Sequence, residues 1–151
     1  MPARRSACFR RNASCRQAFR HAGVTVSRVR KREYMMKKVE DLDVFKLSHS
    51  LALEIFEITK SFAEEEKFGL ISQMRRAAYS VPMNLMEGAH RLSSREYRQF
   101  VGMARGSAGE MKYQLLLVKD LRYVSEDRYC SLLSKYGRVS QMLTKLSKTL
   151  E

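Results

Sequence analysis

The chain has 151 residues, 44% of them hydrophobic and 30% charged, which is enough for one domain with a real core. Its apolar runs, such as Leu115 to Val118, last only a few residues and exclude a transmembrane helix. Formal net charge is +13, but it is unevenly placed: residues 1–38 hold twelve basic residues and one acid (net +11), and residues 39–151 hold seventeen and fifteen (net +2).

Residues 1–38 are too poor in large aliphatics to fold alone, so a basic, disordered leader is expected. It reads as a nucleic-acid-binding tail, as a transit-like peptide, or as a non-native extension from an upstream start. The last is favoured, because Met35 and Met36 directly precede the globular pattern. Cys8, Cys15 and Cys130 form no CxxC pair, which fits a reduced, cytoplasmic setting. His21, His49 and His90 have no metal-ligand spacing, so no metal or cofactor is expected.

The pattern predicts four helices. The first runs from about Leu42 to Ser61, capped by Asp41 or Asp43, with Leu47, Leu51, Ile55, Ile58 and Phe62 facing the core. Ala63 to Lys67 is a charged turn. The second helix lies within Phe68 to Arg91 and ends near Gly88. Leu70, Met74, Ala77, Val81 and Leu85 form its apolar face, and Pro82 should kink it. Ser93 and Glu96 form a capping box for the third helix, which runs to about Tyr123 and is more than about 40 Å long. Tyr97, Val101, Ala104, Ala108, Met111, Leu115 and Val118 are its core stripe. The fourth helix starts at Ser125, with core positions Tyr129, Leu132, Tyr136, Val139, Leu143, Leu146 and Leu150. Short connections between four helices give an all-α, up-down-up-down antiparallel four-helix bundle over residues 39–151.

Helix two carries a second stripe, of Gln73, Arg76, Ser80, Asn84 and Glu87. Helix three offers Ser107, Glu110 and Gln114 opposite it. The favoured reading is a hydrogen-bonded network that fixes helix register, with Arg76 pairing Glu110 and Asn84 or Ser80 meeting Ser107; a ligand or nucleic-acid surface is the alternative. No nucleophile–base pair is visible, so no catalytic residue and no small-molecule substrate are expected. Gly102, Gly106 and Gly109 each cost a helix about 1 kcal/mol relative to Ala. They suggest a close helix approach, either within the bundle or, as favoured, between subunits. Arg75, Arg91, Arg95, Arg98 and Arg105 are candidate phosphate contacts, weighed against an ordinary solvated face.

Several of these residues together carry a resemblance: Asp41-Leu-Asp-Val-Phe45; Phe68-Gly-Leu with Gln73 and Arg75-Arg-Ala77; Ser80, Asn84 and Glu87-Gly88; and Gly106-Ser107 with Glu110. Over about Val39 to Leu150 the chain resembles the bacterial four-helix bundle protein family, also called 23S rRNA intervening-sequence proteins. Accessory proteins of diversity-generating retroelements, which partner a reverse transcriptase and bind nucleic acid, are related to it. Leu85-Met86 stands where Ile-Ala is usual, and the basic leader is not part of the family pattern. The resemblance implies a ring-like homo-oligomer, typically a pentamer, without enzyme activity. Two functions follow as expectations. One is an oligomeric bundle contacting RNA or a ribonucleoprotein. The other is a protein–protein scaffold or accessory subunit, for example to a reverse transcriptase.

Overall fold

The computed structural model of the protein describes residues 39–150, and the leader expected over residues 1–38 lies outside them. Among the described residues the helices are α1 (Asp43–Ile58), α2 (Leu70–Ala89), α3 (Ser94–Asp120) and α4 (Glu126–Thr149). They form an up-down-up-down antiparallel four-helix bundle in which each helix packs on its sequence neighbours and α1 closes against α4. The connection from α1 to α2 contains two short 3-10 turns, Thr59–Ser61 and Glu64–Lys67.

Most of the apolar stripes of α2, α3 and α4 lies inside as the spacing requires, while Leu70, Tyr97, Tyr129, Leu146 and Leu150 are only partly buried at the edge of the core. Met74, Val81, Leu85, Ala104, Ala108, Met111, Leu115, Val118, Leu132, Val139 and Leu143 are all fully buried. On α1 the core face is rotated from the expected one. Val44, Ser48, Leu51, Ala52 and Ile55 are buried, while Leu47 and Ile58 only edge the core. The buried polar Ser48 is tolerated because its hydroxyl donates to the Phe45 carbonyl (3.0 Å).

Two helix ends also differ from expectation. Leu42 occupies the N-cap of α1 and makes no side-chain cap bond. Asp43 lies instead in the first turn, where its charge favours the positive end of the helix. α1 ends at Ile58 rather than Ser61, and Thr59 Oγ1 donates to the carbonyls of Ile55 (2.9 Å) and Phe56 (3.2 Å). The Ser93 cap of α3 forms as expected: its hydroxyl accepts from the Glu96 N–H (3.2 Å) and donates to the Glu96 carboxylate (2.9 Å). α3 stops at Asp120 because Arg122 adopts a left-handed backbone (φ 61°). This lets Tyr123 N–H reach the Val118 carbonyl (2.9 Å). Tyr123 then stacks on Phe62, with ring centroids 4.9 Å apart.

α2 remains one helix through Pro82 and ends at Ala89, one residue past Gly88, close to where the sequence placed its end. Gly88 is buried inside the last turn, against α3. A Cβ built on Gly88 would lie 2.6 Å from Tyr97 Cδ2 and 2.7 Å from Phe100 Cβ. The glycine is therefore required by helix–helix distance rather than by helix termination. At the opposite seam, the mostly buried Glu54 of α1 accepts from Arg128 and Lys135 of α4, each at 2.9 Å. Nearby, Tyr136 is buried with no hydrogen-bond partner for its hydroxyl among the described residues. Burial, and secondarily the negative charge of Glu54, push its pKa up from 10.0.

Two outcomes follow. Gly88→Ala should lower unfolding free energy by about 1–3 kcal/mol in denaturant titrations, overpacking outweighing the better helix propensity. Tyr136→Phe should leave stability unchanged or raise it at pH 7, because the hydroxyl lacks a partner. Above pH 10.0 the unfolded tyrosine ionises while the folded one resists. Wild-type stability should therefore fall with pH in that range, and more steeply than that of Tyr136→Phe.

Candidate interaction surface

α2 and α3 bring the two polar stripes alongside each other. They join at one rung: Ser80 Oγ donates to Ser107 Oγ (2.5 Å), and Ser107 Oγ donates to the Met103 carbonyl (3.2 Å). The other bonded stripe members pair with residues four positions away along the chain. Asn84 Nδ2 donates to the Ser80 carbonyl (2.8 Å), Gln114 Nε2 donates to Glu110 Oε1 (3.2 Å), and Glu87 pairs with Arg91. The Arg76–Glu110 pair suggested by spacing does not form, and Gln73 and Arg76 are exposed without a side-chain hydrogen bond or ion pair among the described residues. The physical reason is depth: Ser80 and Ser107 are half-buried at the seam, while Gln73, Arg76, Glu87 and Glu110 ride on its outer rim.

The candidate arginines divide into two groups. Arg75 Nε donates to Thr59 Oγ1 (2.8 Å), and its guanidinium lies 5.0 Å over the Phe56 ring. It ties α2 to α1. Arg91 pairs with Glu87 and sits 4.6 Å over the Phe100 ring. Arg95, Arg98 and Arg105 are exposed on α3. Arg98, Arg105 and Lys112 recur every seven residues, so they form a row with a spacing of about 10 Å along one flank of the helix.

Gly102, Gly106 and Gly109 also face outward, and a Cβ on any of them would meet nothing within 4 Å. Close approach within the bundle is therefore not their purpose. Spacing alone missed a further surface. Phe45 and His49 of α1, with Tyr79, Pro82, Met83 and Met86 of α2, line an open apolar groove of about 460 Å³. Its signal was present in Tyr79, Met83 and Met86, which are apolar but lie off the core stripe. Among the described residues no group of His, Cys, Asp and Glu could hold a metal ion, and no helix is long and apolar enough to cross a membrane.

Comparison with protein families sets this geometry in context. The model for "23S rRNA-intervening sequence protein" matches residues 40–145. The chain belongs to that family. The match takes in both polar stripes, Gly88, the outward glycines and all five candidate arginines. A crystal structure of a protein of unknown function from the S23 ribosomal protein family, from Bacteroides thetaiotaomicron, is similar at 24% identity and a TM-score of 0.65. It covers 70% of this chain and 95% of its own, and the likeness is one of fold. No curated protein matches the chain.

The two groups of arginines should separate in stability measurements. Arg75→Ala should cost about 1 kcal/mol through the lost hydrogen bond and ring contact. Arg95→Ala should stay within about 0.5 kcal/mol of wild type, as for an ordinary surface site.

Proposed function

We propose that this chain is a non-enzymatic, cytoplasmic homo-oligomer that contacts RNA or a ribonucleoprotein through the exposed flank of α3. The observation that carries the reading is the row of Arg98, Arg105 and Lys112 with Arg95 one turn before it. A run of cations on one rigid helix suits a phosphate backbone, and the body's net charge of only +2 makes that local concentration the main source of attraction. Ser80 and Ser107 are bound to each other and to a backbone carbonyl, which supports a structural rather than nucleophilic use. Membership of the family and the three outward glycines support self-association, as the pentamer that the family resemblance implies.

A second reading, a scaffold or accessory subunit such as one serving a reverse transcriptase, is favoured by the apolar groove between α1 and α2.

The test is RNA titration over a range of salt, with the full chain and with a chain starting at Met36. Both should bind at low salt. Replacing Arg95, Arg98 and Arg105 with Ala should reduce the log–log salt slope by about 2, at about 0.7 per single-strand phosphate contact. Binding that disappears with residues 1–35 assigns the affinity to the leader and leaves the second reading in place.

A further inference from the structure

We infer that the phosphates attracted by the α3 cations also meet a second wall, the flank of α4 that carries Ser140 and Ser147, so that an RNA strand lies along the α3–α4 seam. This track rests on the RNA reading and names the residues that complete its site. The register follows from the place where α3 ends and α4 begins. Lys119 Nζ lies 3.9 Å from the Glu126 carboxylate and 5.0 Å over the Tyr129 ring. The two helices run antiparallel, so a seven-residue step back along α3 matches a seven-residue step forward along α4. Lys112 then stands level with Leu133, Arg105 with Ser140 and Arg98 with Ser147.

Three properties suit this strip to a phosphate backbone. The first is charge. From Arg128 to Thr149, α4 carries five basic residues and no acid, with Lys148 exposed beside Ser147. The α3 acids Glu96 and Glu110 are fourteen residues apart, in the row on the α2 side, so no carboxylate on either helix interrupts the strip between Arg98 and Lys112. The second is relief. Ser140 and Ser147 are short and half-buried, and a Cβ on Gly137 between them and Leu133 would meet nothing within 4 Å. The α4 wall is therefore low and leaves the cations uncovered. The third is hydrogen bonding. Ser147 Oγ has no hydrogen bond among the described residues. Ser140 Oγ donates only to the Tyr136 carbonyl (3.0 Å), a bond exchanged for a phosphate oxygen by turning one O–H. Serine hydroxyls beside arginines are ordinary phosphate donors, and the arginines supply the attraction.

Fluorescence anisotropy with the full-length chain and a single-stranded RNA, over a range of salt, tests the track. Ser140→Ala combined with Ser147→Ala should weaken binding about tenfold and leave the log–log salt slope unchanged, because hydroxyls release no counterions. Ser147→Glu sets an acid opposite Arg98 and should also lower the slope by about 0.7. Ser131→Glu makes the same change of charge between Arg128 and Lys135, on the flank turned to α1, and should bind as wild type does. All three variants should keep the wild-type helical circular dichroism. Ser147→Glu and Ser131→Glu binding equally well, or the alanine pair binding as wild type does, overturns the track; the RNA reading survives that result if replacing Arg95, Arg98 and Arg105 with Ala still lowers the slope. An unchanged slope in that arginine variant overturns the track and the RNA reading together.

Discussion

The distance between α2 and α3 governs this bundle. Gly88 has no room for a single methyl group, so the two helices meet at backbone-to-ring contact where Tyr97 and Phe100 cross it. Small residues continue the seam: Ala77, Ala104 and Ala108 are buried, and Ser80 meets Ser107. A tight seam of this kind admits short polar side chains and expels long ones. Arg76, Glu87 and Glu110 are carried to the rim for that reason, and the surface chemistry of the molecule is set by a packing requirement two layers below it.

The core of α2, α3 and α4 was legible because each helix pays for solvent on one side and apolar contact on the other, and heptad-like spacing records that division. α1 was less legible. Its inward Ser48 and Ala52 carry little hydrophobic signal, and the larger Leu47 and Ile58 at the edge of the core outweigh them in any pattern. Gly88 showed the opposite ambiguity: a glycine near a helix end reads as a terminator, and only the neighbouring rings reveal a steric role. The polar stripes were visible, but side-chain reach was not, so one rung formed where a ladder had been expected.

The arginines illustrate the same limit. Arg75 and Arg95 are equivalent letters in a basic sequence. The first is anchored by a hydroxyl just past the end of α1 and a ring on α1, sixteen and nineteen residues away, and the second stands exposed on α3. Long-range partners decide which cations belong to the scaffold and which are available to a phosphate. α3 consequently has distinct flanks, one bearing the repeating cations and the other facing the seam with α2. One rigid helix can thus serve two kinds of neighbour without either blocking the other.

The up-down-up-down order has a kinetic meaning as well. The tight α2–α3 seam joins helices separated only by the turn from His90 to Ser93, so its contacts close a short loop. The seam from α1 to α4, held by Glu54 with Arg128 and Lys135, closes a loop of seventy residues or more. The chain's most demanding fit is therefore also among its most local, the arrangement that favours an early helical hairpin and rapid folding of the whole.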